Sequence, residues 1–298
     1  YKRQLVYSKA AMADGAKVSA TALFLQNQDG SLFSVDYSDT DTVSLVAEGK
    51  NLSLYVYSPD AVGAANRYTF DAATGIATTD QDQPTSVDAL GISSAEAKSL
   101  RDIDGDGAIG AKLVTTSQTT NDSLGGLYQV NVAGQDIYAL GTALDKAKTL
   151  DISKSALLNS DGSFWAPDNA DARLRVVATV GTDKSVTWQV YATDTETQEV
   201  TRYSFDKDKK LIDGDTGTTT MNAIDMAAAE KLSKRDLNGD NIYGVDITGT
   251  LDAKTGLFTG SMLGQSFILA GTKLTDGTLA APTDTKGMLV DSSGDAWA

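Results

Sequence analysis

Apolar positions in this chain come in short runs rather than at helical spacing. Residues 43–47 and 52–57 hold one set, and residues 174–180 and 186–191 hold a second. Runs of this length, rich in Val, Leu, Tyr and Trp, predict strands. Tyr68 and Phe70 alternate with polar neighbours and predict a strand whose aromatic face is buried. The residues Asp71-Ala72-Ala73-Thr74-Gly75 then predict a turn, with glycine supplying the positive φ that ends a hairpin loop. Asp252-Ala253-Lys254-Thr255-Gly256 is the same device.

Two segments depart from this pattern. Residues 88–101 and 222–235 predict short helices, because Ala95, Glu96, Ala97 and Lys98, and Ala227 to Lys231, are good helix formers. Asp88 and Asn222 stand where an N-cap side chain is needed. Each helix runs into an acidic, glycine-rich phrase, RDIDGDGAIG at 101–110 and RDLNGDNIYG at 235–244. Strand pattern resumes at Lys112-Leu113-Val114 and Val245-Asp246-Ile247. The Ser/Thr/Asn stretch 115–124 predicts a long hairpin loop, since the matching region near 252–256 is tight.

The chain is therefore an internal repeat. Arg67-Tyr68-Thr69-Phe70-Asp71 returns as Arg202-Tyr203-Ser204-Phe205-Asp206, and Val56-Tyr57 as Val190-Tyr191. Ala95-Glu96 returns as Ala229-Glu230, and Arg101-Asp102 as Arg235-Asp236. A connector motif occurs three times. It reads Gln4-Leu5-Val6-Tyr7 with Asp29-Gly30-Ser31-Leu32-Phe33, then Gln135-Asp136-Ile137-Tyr138 with Gly141-Thr142-Ala143-Leu144 and Asp161-Gly162-Ser163-Phe164-Trp165. The third copy runs from Gln265 through Gly271-Thr272-Lys273-Leu274 to Trp297. The expected division is a first module over 1–150, with 1–33 a connector copy, and a second over 151–298, with 262–298 a connector copy. The pattern begins and ends inside a repeat, so a parent protein continuing in both directions is expected. The expected fold class is mainly β (α+β): two tandem β-rich modules, each with one short helix leading into an acidic loop.

Composition narrows the chemistry. The 298 residues carry a formal charge of −15 and contain neither cysteine nor histidine. Disulfides, Cys/His zinc sites, Ser-His-Asp triads and Cys-His dyads are thereby excluded. The negative surface argues against nucleic acid and anionic lipid as partners. No stretch reaches the roughly 18–20 apolar residues of a membrane helix, and no signal peptide is expected within these residues. Of the 40 acidic residues only five are glutamates, and aspartate is the better turn former and a good calcium ligand.

The acidic loops give that aspartate a use. Counting from Asp102, carboxylates fall at positions one, three and five: Asp102, Asp104 and Asp106. Alternate residues point inward as the backbone curls, and Gly107 at position six permits the sharp turn. The carbonyl of Ala108 at position seven is a further ligand candidate, and Ile109 at position eight an expected core anchor. The second loop offers Asp236, Asn238, Asp240 and the carbonyl of Ile242, with Asn241 at the turn and Tyr243 in place of Ile109. Asparagine tolerates the left-handed backbone such a turn requires. With one charge less, the second loop is expected to bind more weakly.

These loops resemble the calcium loops of EF-hands and, more closely, of dockerins. They also look like the helix-preceded loops of large secreted bacterial surface proteins and adhesins. The resemblance covers about ten residues per copy plus the helix. It implies bound Ca2+ and a tandem repeat module of such a surface protein. The pattern departs at position twelve, where an acidic ligand is usual and Leu113 or Ile247 stands here. Asp71 and Asp206, kept in both copies, are candidates for the missing ligand.

No carboxylate pair stands out in an aromatic cleft motif, so no catalytic residue, cofactor-binding residue or enzyme activity is assigned. Tyr55, Tyr57, Tyr68, Trp165 and Trp188 form either core or a sugar platform. The sequence thus reads as a calcium-stabilised structural repeat segment of a secreted, cell-surface bacterial adhesin, stalk or surface-layer protein. Its expected partners are neighbouring repeats of the same protein, with cell-surface glycans or other surface proteins beyond them. The alternative is a carbohydrate-binding module or part of a polysaccharide-active enzyme.

Overall fold

A computed structural model of the chain describes residues 2–4, 6–7, 23–78, 83–115, 126–141, 149–214, 217–252, 254–273, 279–280 and 287–289. Residues 116–124 of the expected long loop lie outside the described residues. So do Thr142, Ala143, Leu144, Leu274 and Trp297 of the connector motifs, and most of the first connector copy.

The fold is mainly β. Two short pairs, β1 (Lys2–Gln4) with β4 (Ser34–Asp36) and β2 (Val6–Tyr7) with β3 (Leu23–Phe24), precede the first large sheet. That sheet is an antiparallel meander of β5 (Thr42–Glu48), β6 (Asn51–Tyr57), β7 (Ala64–Asp71) and β8 (Thr85–Asp88). Helix α1 (Ala89–Ser99) follows, and then a three-stranded sheet of β9 (Lys112–Thr115), β10 (Gly126–Val132) and β11 (Gln135–Gly141).

The second copy repeats the plan. Its meander is β12 (Arg173–Val180), β13 (Val186–Thr193), β14 (Val200–Phe205) and β15 (Thr218–Thr220). Helix α2 (Ala223–Ser233) leads to β16 (Asp246–Asp252), β17 (Leu257–Met262) and β18 (Gln265–Ala270), and a short pair, β19 (Thr272–Lys273) and β20 (Leu279–Ala280), follows. The chain forms two compact units. One comprises Tyr1–Thr116, Gln129–Ala139 and Leu144–Ala156; the other comprises Ser117–Tyr128, Leu140–Ala143 and Leu157–Ala298.

Within each unit the connector packs on the meander. Phe33 meets Tyr68 and Phe70 edge-on, at centroid distances of 5.2 and 4.8 Å. Trp165 meets Tyr203 and Phe205 in the same way, at 5.1 and 5.3 Å. These rings are buried, so Phe70 and Phe205 face the core with Tyr68 and Tyr203 beside them. The helix lies against the same meander, and β6 is buried at every position from Leu52 to Tyr57. A strand covered on both faces reads as a continuous apolar run, which is why its sequence scarcely alternates.

Strand register corrects one repeat match. The sequence aligned Tyr57 with Tyr191. In the ladders Tyr55 stands opposite Arg67, and Tyr191 opposite Arg202. Tyr55 is therefore the counterpart of Tyr191, because the two Arg-Tyr-x-Phe strands fix the register.

Candidate metal centres

Each acidic loop begins where a helix ends. Asp88 caps α1 by accepting the Gly91 N–H at 2.8 Å, and Asn222 caps α2 by accepting that of Asp225 at 2.8 Å. Leu100 and Lys234 follow the helices in left-handed conformation, with φ of 56° and 55°. That bend ends each helix before the loop, rather than at Arg101 or Arg235 as the sequence suggested.

Loop one is knitted by its own carboxylates. Asp102 accepts the N–H groups of Gly105 at 2.6 Å and Gly107 at 2.9 Å. Asp104 accepts that of Asp106 at 3.1 Å, and its other oxygen accepts that of Ala133 at 2.6 Å. Asp106 Oδ1 accepts the Ala108 N–H at 2.7 Å. Its Oδ2 is buried with no hydrogen-bond partner. Gly107 has φ of +84°, a conformation costly for a residue with a side chain.

Around this frame the carbonyls are also engaged. Ser44 Oγ donates to Asp102 O at 3.2 Å, and Lys112 Nζ to Asp106 O at 2.9 Å. Burial, first of all, pushes the Asp104 and Asp106 carboxyls above the usual range, and charges within the loop add to it. Oxygens of Glu96, Asp102 and Asp104 lie within 4.8 Å of one another.

The second loop has the same frame with different chemistry. Asp236 accepts the N–H groups of Gly239 and Asn241, and Asp240 Oδ1 that of Ile242 at 2.8 Å. Asn241 takes φ of +70°, filling the role of Gly107. Asn238 Oδ1 accepts the Asp240 N–H at 3.0 Å, while its Nδ2 donates to Asp240 Oδ2 at 2.8 Å and faces Met262 Sδ at 3.2 Å. The oxygen left without a partner in loop one is thus satisfied here by an amide. Arg173 adds a positive charge, with Nη1 donating to Gly239 O at 2.7 Å.

Two expectations are corrected. Position eight is not the core anchor: Tyr243 is 66 % exposed and Ile109 only half-buried. The anchors are Ile103 and Leu237 at position two, each 0 % exposed. Nor do Asp71 and Asp206 serve as distant ligands. Asp71 stands opposite Asn51 and Asp206 follows Phe205, opposite Trp188, whereas the loops meet Ser44 and Arg173 toward the other end of each meander; both aspartates cap their own turns.

The sequence missed Glu96 and Glu230 as loop residues. Both are fully buried. Glu96 accepts N–H groups of Ile103 at 2.6 Å, Asp104 at 3.2 Å and Gly110 at 2.8 Å. Glu230 accepts those of Leu237 at 2.9 Å, Asn238 at 3.1 Å and Gly244 at 2.8 Å. Burial pushes Glu96 up to about 8 and Glu230 up to about 7, against the pull of these donors. A signal existed: two of the five glutamates recur at matched places in the two helices.

Tyr55, Tyr57, Tyr68, Trp165 and Trp188 are all buried and form no exposed platform. Among the described residues no helix is long and apolar enough to cross a membrane. Searches of family models, curated proteins and solved structures give no match to this chain.

Proposed function

We propose that this chain is a calcium-stabilised structural repeat segment of a secreted, cell-surface bacterial protein of the adhesin, stalk or surface-layer kind. The observation that carries the reading is loop one. It holds oxygens of Asp102 and Asp104 within 4.8 Å of each other and of Glu96, and beside them buries Asp106 Oδ2 with no donor. Burial and mutual repulsion there favour a compensating cation. An all-oxygen donor set suits a hard ion, and irregular loop oxygens suit calcium better than octahedral magnesium.

A structural role follows from what surrounds the loops. Each is rooted by a buried side chain, Ile103 or Leu237, in its own unit. Leu237 shares a core with α2 residues Met226 and Ala227 and with Phe267 of the β17–β18 hairpin. In a chain without cysteine, a bound ion supplies the cross-link that a disulfide would otherwise provide. Neighbouring repeats are the first partners this reading implies, with surface glycans or proteins beyond them.

Calorimetric titration of chelated protein tests it. Two calcium-binding events are expected, the tighter at Asp102, Asp104 and Asp106, with magnesium a poor competitor. No binding at millimolar calcium sinks the proposal.

A further inference from the structure

Behind each loop stands a buried glutamate making the same three bonds. Glu96 reaches positions two, three and nine of loop one through Ile103, Asp104 and Gly110. Glu230 reaches the same positions of loop two through Leu237, Asn238 and Gly244. One carboxylate oxygen takes the two N–H groups at the start of the loop, and the other takes the one at its end. A single rigid group on a helix therefore fixes the distance between the loop's two ends.

We propose that Glu96 and Glu230 are positioning residues for the cation. They close each loop from inside through its backbone, where an EF-hand-like loop closes through an acidic side chain at position twelve. The proposal rests on the reading of the loops as cation sites. It accounts for Leu113 and Ile247 at position twelve: closure no longer needs a side chain there. The glutamate bonds only backbone N–H groups and engages none of the side chains at positions one, three and five. It acts through the backbone: all three of its bonds go to loop N–H groups, and its oxygens stand within 4.8 Å of those of Asp102 and Asp104.

The residue type is dictated by the donors. Three N–H groups converge on one side chain, so both of its terminal atoms must accept. Glutamine would set an N–H against an N–H, and aspartate is one methylene too short. Gly110 completes the arrangement. It sits at φ +85°, and a Cβ there would lie 2.2 Å from the Leu150 carbonyl oxygen, so only glycine brings this N–H to Glu96.

The test uses the full chain. In calcium titrations, Glu96→Gln should weaken the site at Asp102, Asp104 and Asp106 by about 10–100-fold, the usual cost of losing a group that orients ligands. The other site should stay within about twofold, and Glu230→Gln should show the mirror result. A merely structural role would not move one affinity and spare the other. Folded Glu96→Gln protein with both affinities unchanged overturns the role and leaves the calcium reading standing. Wild type that binds no calcium overturns both.

If the variants do not fold, hydrogen exchange on chelated wild type decides. The amides of Ile103, Asp104, Gly110, Leu237, Asn238 and Gly244 should be protected to the level of the β6 and β13 cores. Exchange at the rate of open loops overturns the proposal.

Discussion

The carboxylate of Asp104 accepts the backbone N–H of Ala133 at 2.6 Å, tying loop one to the tight turn between β10 and β11. Ala133 and Gly134 both have positive φ, 52° and 78°, as a two-residue hairpin turn requires. The pair is buried, so an amide in place of the acid turns a donor toward a donor or gives up a loop bond. Asp104→Asn should cost about 1–3 kcal/mol in chelator, the penalty for a buried group left unmade. It should also weaken calcium binding at loop one. Denaturant midpoints in chelator, followed by titration, check both; an unchanged midpoint would refute the tie.

Loop two shows the opposite case. Asn238 satisfies Asp240 Oδ2 by itself, and Arg173 bonds the loop carbonyl of Gly239. Asn238→Asp removes that amide donor and sets two carboxylates side by side. The variant should be less stable than wild type in chelator by about 1 kcal/mol, the size of a lost hydrogen bond. In calcium the order of the two affinities should close up or reverse, because the loop gains a charge. Calorimetry on wild type and variant reads this directly, and equal affinities for loop two in both proteins would count against it.

Removing metal should lower the melting temperature of the whole chain. A ligand that binds only the folded state adds about 2.7 kcal/mol at a hundred times its dissociation constant. The chain's −15 charge sharpens the effect, since two lost dications leave more self-repulsion. Scanning calorimetry with calcium and with chelator is the measurement. Coincident transitions would mean that the loops hold no structural ion.

The sequence made the local rules legible. Asp88 and Asn222 read as caps because a short acceptor side chain must meet free helix N–H groups, and each does so at 2.8 Å. Phe70 and Phe205 read as core because an aromatic on an alternating strand needs cover, which Phe33 and Trp165 provide. Long-range facts were not legible. Glu96 looked like a helix former until three backbone groups from the loop converged on it. Tyr57 was matched to Tyr191 by a Val-Tyr dipeptide, when the pairing of Tyr191 with Arg202 decides register. Ile109 reads as the anchor because it is apolar and follows the turn, yet it is position two, Ile103 and Leu237, that is fully buried.

Acid stability should depend on turn aspartates rather than on ion pairs. Asp71 is held below its ordinary range by the Thr74 N–H and hydroxyl and the Ala73 N–H. Asp252 is lowered by the Lys254 N–H and the Thr255 hydroxyl, and Asp183 by the Ser185 hydroxyl and N–H. A carboxyl whose folded pKa is depressed stabilises above its unfolded value, near about 3.9, and that contribution is lost as pH falls through the folded value. Midpoints in urea with chelator present should therefore drop as pH is lowered below about 4. Substituting Asp71, Asp183 and Asp252 together by alanine should flatten that limb. An equally steep limb in the triple variant would show that other carboxyls control it.

The aromatic wedges offer the clearest test that the two units carry separate cores. Phe205 is fully buried against Trp165, and Phe70 against Phe33. Truncating either ring to alanine leaves a cavity and should cost about 3–5 kcal/mol. The reporters are already placed, since the three tryptophans, Trp165, Trp188 and Trp297, all fall in the unit that includes Leu157–Ala298. Tryptophan fluorescence therefore follows that unit alone, whereas far-ultraviolet circular dichroism follows both. Phe205→Ala should lower the fluorescence midpoint and split the dichroism transition in two. Phe70→Ala should split the dichroism transition while leaving the fluorescence midpoint near that of wild type. If Phe70→Ala moves the fluorescence midpoint as far as Phe205→Ala does, the units melt as one and the cores are not energetically separate.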